Sequence, residues 1–301
     1  MPNHIDPPQV IIIGSGPAGI SAAVQLIRAG ISVMVIAKKM DETYLNANLI
    51  ENIITFPEGI SGQEFHKVLQ QCIRKFNIPI FNEEVILLQQ DDAGFYLRTK
   101  QLTFQAPYVV VATGTKPKLL SIPGEDLAFS ESRLFYNIPP TNPVEKAIVV
   151  MGSGDAAYDY ALNLHQNGNK ITMIQRTDRS YALSLLQTRV SRLSNIEILR
   201  SCKVSHITFQ DQKLSVHCQV EQSSSELPIP CDLIFVAIGR EPNTSFLEKS
   251  LQKRFNANQS IENLYYGGDV ANGKYRQIAL AMGDGVRIGM EISEKISRRE
   301  K

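Results

Sequence analysis

The feature that most constrains this chain is a strand, glycine turn, helix and strand unit, and the chain carries it twice. The first copy runs from the apolar stretch Val10-Ile11-Ile12-Ile13 through Gly14-Ser15-Gly16-Pro17-Ala18-Gly19 into a helical stretch. Gly30 stops that helix, and Ile31 to Ile36 follows as a second strand. The G-x-G-x-x-G spacing falls at the strand–helix junction, the context in which it binds a dinucleotide. Gly14 permits the tight turn, Gly16 lets the backbone approach a pyrophosphate, and Gly19 lets the helix pack against the strand. The helix N-terminus adds free N–H groups and a partial positive charge for the phosphates. The second copy places its strand at Ala147 to Met151, its turn at Gly152-Ser153-Gly154-Asp155-Ala156-Ala157, its helix at Tyr158 to Gln166 and its next strand at Lys170 to Gln175. Alanine in the sixth position still allows close helix–strand packing. Two such units imply two nucleotide sites, or one site and a duplicated scaffold. Both turns keep their first two glycines, which favours two sites.

Composition narrows the class. At 301 residues, 43% hydrophobic and 20% charged, the chain suits two globular domains. A net charge of +1 gives nucleic acid and anionic membranes nothing to hold. Residues 1–9 lack a signal peptide's basic start and apolar core and are expected as a loose tail. No apolar run approaches the roughly 20 residues that span a bilayer, so the expected compartment is the cytoplasm. The cysteines (Cys72, Cys202, Cys218, Cys231) show neither C-x-x-C spacing nor a disulfide framework. The five histidines show no metal-ligand spacing, so no metal is expected, and there is no nucleophile elbow.

Between the units, Lys38 to Pro57 reads as irregular, and Ser61-Gly62-Gln63-Glu64 as a capping box opening a helix. Phe65, Val68, Leu69, Cys72, Ile73 and Phe76 fall on one face of that helix, so Cys72 is expected in the core. Short strands follow at 85–88, 95–99 and 102–104, then a buried strand from Tyr108 to Ala112. Lys116 to Gly124 and Arg240 to Asn243 read as linkers. From Asn195 to Val220 strands flank a turn at Asp211-Gln212. Leu214, Val216, Cys218 and Val220 alternate inward there, while Cys202 and Cys231 fall near strand starts. Leu264-Tyr265-Tyr266-Gly267-Gly268-Asp269 is a strand and acidic turn before a closing helix. The chain is expected to return to its first domain after a domain inserted in the middle.

Taken in order, the first glycine turn, Ala112-Thr113-Gly114, the second glycine turn, Ala237-Ile238-Gly239-Arg240-Glu241-Pro242-Asn243-Thr244 and Gly267-Gly268-Asp269 resemble the thioredoxin-reductase-like flavoproteins of the FAD/NAD(P)H pyridine nucleotide-disulfide oxidoreductase superfamily. The resemblance runs from Val10 to the closing helix. It implies an α/β fold of two Rossmann-like three-layer domains, an FAD domain of residues 1–115 and 240–301 and a nicotinamide nucleotide domain of residues 116–239 inserted in it. It also implies a homodimer, usually with rotation between the domains.

By position, Gly14, Ser15, Gly16, Pro17, Ala18 and Gly19 would hold the FAD pyrophosphate. Glu51-Asn52-Ile53-Ile54-Thr55-Phe56-Pro57 resembles the family's Glu-Asn-x-x-x-Phe/Tyr-Pro segment, making Asn52 a flavin contact. Ala112, Thr113 and Gly114 would lie near the cofactor, as would Lys38 and Val85. Asp269 would bond the ribityl chain, unless it is merely a helix cap. Arg276-Gln277 looks like the family's pair at the ring carbonyl and N1 edge, with Ile278 opening the closing helix beside it. A cation and helix-end N–H groups there would stabilise the anionic reduced flavin; the plain alternative for Arg276 is a solvated surface charge. Gly152 to Ala157, Arg176 and Gly239 would serve NADPH or NADH.

The chain departs from the family pattern in three ways. Ala37 stands where an acid usually binds the adenosine ribose. The family's His-Arg-Arg is Gln175-Arg176-Thr177 here, leaving Arg176, with Arg179, for a 2′-phosphate; NADPH is favoured and NADH left open. The third departure concerns function. Disulfide-reducing members carry Cys-x-x-Cys-Asp shortly before the second glycine turn; a gapless count back from Gly152 finds Phe135, Ile138 and Pro139. A dithiol must reach the flavin and supply a thiolate, so ordinary thioredoxin reduction is not expected.

Hydride transfer from nicotinamide to flavin needs stacking and orientation, and no side-chain acid or base. The leading expectation is therefore an NAD(P)H-dependent flavin oxidoreductase passing electrons onward without a dithiol, like the cysteine-free ferredoxin- and flavodoxin-NADP reductases. Those relatives have a longer C-terminal segment. The basic end Lys295, Arg298, Arg299 and Lys301 offers an acidic partner a dock, although a solvated tail is the simpler reading. The alternatives are an oxidase or a reductase of quinones or small disulfides, and a non-catalytic FAD-binding regulator.

Overall fold

A computed structural model describes residues 8–38, 43–92, 94–139, 143–220 and 226–299. The expected N-terminal tail, over residues 1–7, and Lys301 of the basic end lie outside them.

Val10–Ile13 is buried along its whole length because the parallel sheet around it is covered on both faces. Its neighbours are Val33–Ile36 and Tyr108–Val111, with Val10 in register with Val33 and Tyr108. Ile80–Phe81 and Leu264–Tyr266 form the two edges of this five-stranded parallel sheet. The last of these strands brings the chain back to its first sheet after some 150 intervening residues, as expected. Alternation splits the core: Val10 and Ile12 face the helices Pro17–Arg28 and Ile278–Arg299, whereas Ile11 and Ile13 face a three-stranded antiparallel layer. The two helices touch backbone to side chain; a Cβ on Gly285 would lie 2.1 Å from the Ala18 carbonyl oxygen.

The second unit repeats this plan. Ala147–Met151 pairs in parallel with Lys170–Ile174 and Leu233–Val236, and Ile196–Leu199 and Leu134–Phe135 complete a five-stranded sheet. An antiparallel meander of Cys202–Gln210, Lys213–Val220 and Glu226–Cys231 packs on it. Asp211 and Gln212 both take positive φ (51° and 62°), the twist that a two-residue hairpin needs. The molecule is thus α/β with two Rossmann-like units.

The two segments read as linkers are a structural element. Thr115–Pro117 and Arg240–Pro242 form an antiparallel ladder, and the Arg240 guanidinium donates to the Thr115 hydroxyl (2.9 Å) and carbonyl (2.8 Å). Proline masked this pairing, since it is tolerated at the ends of edge strands. The rest of the first linker runs into a short helix, Glu125–Ser130. The second unit's helix begins at Asp155, three residues earlier than its apolar pattern suggests. The capping box forms as read, Ser61 Oγ accepting from the Glu64 N–H and Glu64 from the Ser61 N–H. Cys72 is half-buried against the core and Cys218 fully buried. Cys231 ends its strand instead of starting one, because Glu226–Cys231 turns directly into Leu233–Val236.

Candidate functional site

The two glycine turns show the same economy of space. A Cβ on Gly14 would lie 2.3 Å from the Ala112 carbonyl oxygen, and one on Gly19 would lie 2.0 Å from that of Gly14. Gly14 also takes φ +110°, so glycine is required twice over. Gly152 matches it with φ +144° and the Ala237 carbonyl oxygen 2.4 Å from a built Cβ. Ala157, at the sixth position, is fully buried and its methyl already touches Gly152, which is why alanine fits where the first turn has Gly19.

Both helices then start without a side-chain cap. Gly16 and Gly154 are the N-cap residues, each in extended backbone, and Pro17 opens the first helix. The orphan N–H groups of these first turns, with Ala18 and Ala156 among them, face outward with the positive end of the helix dipole. Space in front of Gly154 is open: a Cβ there would meet nothing within 4 Å. The Ser153 carbonyl accepts the Tyr181 N–H (2.7 Å), and Asp155 Oδ1 accepts that of Leu183 (2.8 Å), fixing the rim of this cradle. Such uncapped, open helix ends suit an anionic pyrophosphate.

The residues expected around a flavin converge from distant parts of the chain. Asn52 donates its side-chain amide to Gln277 Oε1. Gln277 in turn begins the closing helix, its carbonyl accepting the Ala281 N–H (2.9 Å), with Ile278 half-buried against the core. Thr113 spends its hydroxyl on the Asn243 carbonyl (2.7 Å), and the Gly114 carbonyl accepts the Asn243 N–H (3.1 Å), so this pair ties down the crossing strand. Ala112 is buried at the end of the central sheet, bonded to the Ile13 carbonyl. Lys38 pairs with Glu84 (3.4 Å) on the surface, next to the buried Val85. Ala37, where the ribose acid is missing, is itself buried.

Asp269 does not cap the turn it stands in. That task falls to Asp284, whose Oδ2 accepts from the Gly268 N–H (3.0 Å) and the Asn272 amide (2.7 Å). Asp284 was invisible in the sequence because it lies a helical turn and a half into the closing helix. Gly268 sits against the first glycine turn, a built Cβ falling 2.9 Å from Ala18 Cβ. Asp269 therefore stands beside that turn with no hydrogen bond to a described residue. Burial raises its pKa, against the pull of Arg276 and Arg240. Arg276 donates to the Arg240 carbonyl (3.2 Å), and its Nε is buried with no partner among the described residues. A buried donor without an acceptor costs about 1–3 kcal/mol. Together with the Asp269 carboxylate and the uncapped helix ends, that orphan fits a polar dinucleotide such as FAD.

Near the second turn, Arg176 and Arg179 are exposed. The loop carrying them is held by Gln175, fully buried, which donates to Tyr158 Oη (3.1 Å) and accepts from Ser180 Oγ (2.8 Å). Gln175 thus replaces the family histidine with a loop anchor. Gly239 takes φ +117° and its carbonyl accepts the Lys118 N–H (3.0 Å).

Among the described residues, no thiol stands where a dithiol would be expected. Phe135 stacks on Phe235 with ring centroids 5.2 Å apart. The side-chain amide of Asn46 clasps the next residues, donating to Asn137 Oδ1 (3.0 Å) and accepting from the Ile138 N–H (2.7 Å). Two further links run between the units: the Asn48 N–H donates to Asp159 (3.0 Å), and Arg189 makes a bidentate pair with Glu51 (2.6 and 2.8 Å). Cys202 and Cys218 are buried in the meander core, and burial pushes the Cys218 thiol far up and that of Cys231 up to about 12.

The histidines depart from expectation. His206, His217 and Glu226 come together with their ligand atoms within 4.8 Å, on three neighbouring strands. Strand register creates this cluster, so no local spacing announces it.

Known proteins share this architecture. The family model "Pyridine nucleotide-disulphide oxidoreductase" matches residues 8–285. A flavin-domain-sized stretch is not all that matches: one of the alkyl hydroperoxide reductase proteins of Staphylococcus aureus is 27% identical over 304 residues, covering 97% of this chain and 60% of that protein. The chain thus spans well under two thirds of the length of such curated relatives. Among solved structures, Lactococcus lactis thioredoxin reductase (FR conformation) superposes with a TM-score of 0.86 at 24% identity, covering 96% and 98% of the two chains. Bacillithiol disulfide reductase from Bacillus cereus gives 0.80 at 21%, covering 96% and 100%. At these identities the likeness is one of fold.

Proposed function

The chain belongs to the pyridine nucleotide-disulphide oxidoreductase family, and on that footing we propose a flavoprotein that takes electrons from NAD(P)H and passes them, through FAD, to an acceptor other than thioredoxin. The observation that supports this reading is the sulfur-free wall at Phe135 and Ile138, clasped by Asn46. Disulfide reduction through protein thiols needs a thiolate near the flavin. The cysteines are placed elsewhere, and burial disfavours the thiolates of Cys218 and Cys231. Alkyl hydroperoxide reductase, thioredoxin reductase and bacillithiol disulfide reductase are the activities named for the similar proteins; the proposal departs from the dithiol route.

In this reading the turn Gly14 to Gly19 holds the FAD pyrophosphate, Asp269 accepts from a ribityl hydroxyl, and Asn52, Arg276 and Gln277 line the ring. The turn Gly152 to Ala157 holds the NAD(P)H pyrophosphate, and Arg176 reads a 2′-phosphate. Bound FAD supplies the redox chemistry, taking a hydride from the nicotinamide and releasing electrons to the acceptor. Arg276 places positive charge where the reduced ring gathers negative charge. We assign residues 1–115 and 240–301 to the FAD domain and 116–239 to the nucleotide domain, in a homodimer. A small acidic electron carrier such as ferredoxin or flavodoxin is the acceptor we favour.

Anaerobic titration of the purified protein with NADPH and with NADH, following the oxidised flavin band, tests this directly. Bleaching by one nucleotide, reoxidation by ferredoxin or flavodoxin and no turnover of thioredoxin are the expected results. A colourless protein that takes up no added FAD, or efficient thioredoxin reduction, would overturn the reading.

A further inference from the structure

The cluster of His206, His217 and Glu226 lies on the outer face of the antiparallel meander, away from the glycine turns. His206 and His217 are a cross-strand register pair, and their rings stack with centroids 4.2 Å apart and planes 13° apart. Glu226, on the third strand, pairs with Gln219, two residues along from His217 and so on the same face. Its carboxylate reaches both rings: Oε1 lies 3.4 Å from His206 Nδ1 and Oε2 lies 3.7 Å from His217 Nδ1.

We propose that these residues form a binding site for one divalent transition-metal ion, with zinc the best match. The donor set, two imidazole nitrogens and one carboxylate, is that of open zinc sites with a fourth position left for water. Ligand atoms each bound at about 2.0–2.2 Å in a tetrahedron lie roughly 3.3–3.6 Å apart, close to the two spacings found. The outer partners are also in place. Thr208 Oγ1 lies 3.0 Å from His217 Nε2, the geometry that fixes a ring with Nδ1 free for a metal. Ser205 Oγ donates to Glu226 Oε1 (2.7 Å) and stands 3.1 Å from His206 Nδ1, holding the carboxylate between the rings.

The near-parallel rings must tilt for both lone pairs to meet at one point. The torsion that tilts them is soft, since the outer torsion of histidine has broad minima. The ligands come from three hydrogen-bonded strands, so the backbone is already rigid around the ion. The side chains of His206, His217 and Glu226 are 33%, 19% and 41% exposed, leaving an open route for metal and water. An ion there would cross-link all three strands.

The test is calorimetric titration of the untagged, FAD-loaded protein with zinc, beside His206→Ala, Glu226→Gln and Thr208→Val. The wild type should bind one equivalent that both ligand variants lose. Thr208→Val should bind ten- to a hundredfold more weakly, the usual effect of losing an outer partner. Copper(II) added to the oxidised protein should give an electron paramagnetic resonance spectrum split by two imidazole nitrogens. Flavin absorbance and thermal melting report whether each variant is folded. Equal zinc uptake by wild type and both folded ligand variants, or a copper spectrum with oxygen ligands only, would overturn the proposal.

Discussion

The side-chain amide of Asn52 donates a hydrogen bond to Gln277 Oε1 across 225 residues of sequence. It joins the loop before the capping box to the residue that opens the closing helix. An exposed hydrogen bond of this kind contributes about 0.5–1.5 kcal/mol. Asn52→Ala should therefore shift thermal stability only slightly. If the pair lines the flavin, the same substitution should change the flavin absorption envelope and speed FAD release. Absorbance and released-flavin fluorescence measure both; an unchanged spectrum and release rate would remove Asn52 from the site.

The glycines separate folding from binding. Gly19→Ala drives a methyl to 2.0 Å from the Gly14 carbonyl oxygen, so helix and turn must part. A loss of about 2–3 kcal/mol is expected, and with it the yellow colour. Gly154→Ala meets nothing within 4 Å and keeps an ordinary extended backbone. It should cost no more than about 1 kcal/mol as an N-cap change, yet block the approach of a pyrophosphate and raise the Kd for NAD(P)H. Denaturation curves and nucleotide titrations distinguish the two; tight nucleotide binding by Gly154→Ala would move the site elsewhere.

Arg176 stands exposed on a loop anchored by the buried Gln175, so its removal leaves the anchor untouched. Arg176→Ala should weaken NADPH by about ten- to a hundredfold, the cost of one charge-assisted hydrogen bond, and NADH hardly at all. Equal losses for the two nucleotides would show that Arg176 does not read the 2′-phosphate.

Glycine turns and sheet strands were legible in the sequence because each residue acts on its nearest neighbours. Gly14 with Gly19, or Ser61 with Glu64, declare themselves within six positions. Long-range pairings were not legible. The ladder of Thr115–Pro117 with Arg240–Pro242 hid behind its prolines, and Asp284 took over the capping role open to Asp269. His206 and His217 became neighbours only through hairpin register. The link from Asn46 to Asn137 and Ile138 likewise depends on how the two units meet, which no local pattern encodes.

Replacing all four cysteines with alanine separates a dithiol mechanism from the one proposed. Cys202 and Cys218 are 2% and 0% exposed, so each truncation there should lower stability by about 1 kcal/mol. Flavin reduction by the preferred nucleotide should keep its rate constant in the folded quadruple variant. Stopped-flow absorbance checks this, and a reductive half-reaction abolished with the flavin still bound would restore a role for sulfur.

Asp159 gives a pH dependence whose sign follows from its surroundings. Burial pushes its carboxyl up to about 6, against the Asn48 N–H and Arg189, which favour the ionised form. An acid whose pKa is raised on folding binds its proton more tightly in the native state. The native state is therefore penalised progressively as pH rises from about 4, where the unfolded carboxyl ionises, to about 6, and fully above that. Asp159→Asn keeps an oxygen for the Asn48 N–H and removes the charge. Its melting temperature should lose this part of the fall between pH 4 and 6. At pH 7 the variant should exceed the wild type by up to about 2 kcal/mol. Melting curves across that range decide the matter: parallel wild-type and variant profiles would mean that Asp159 ionises at its ordinary pH in the folded protein.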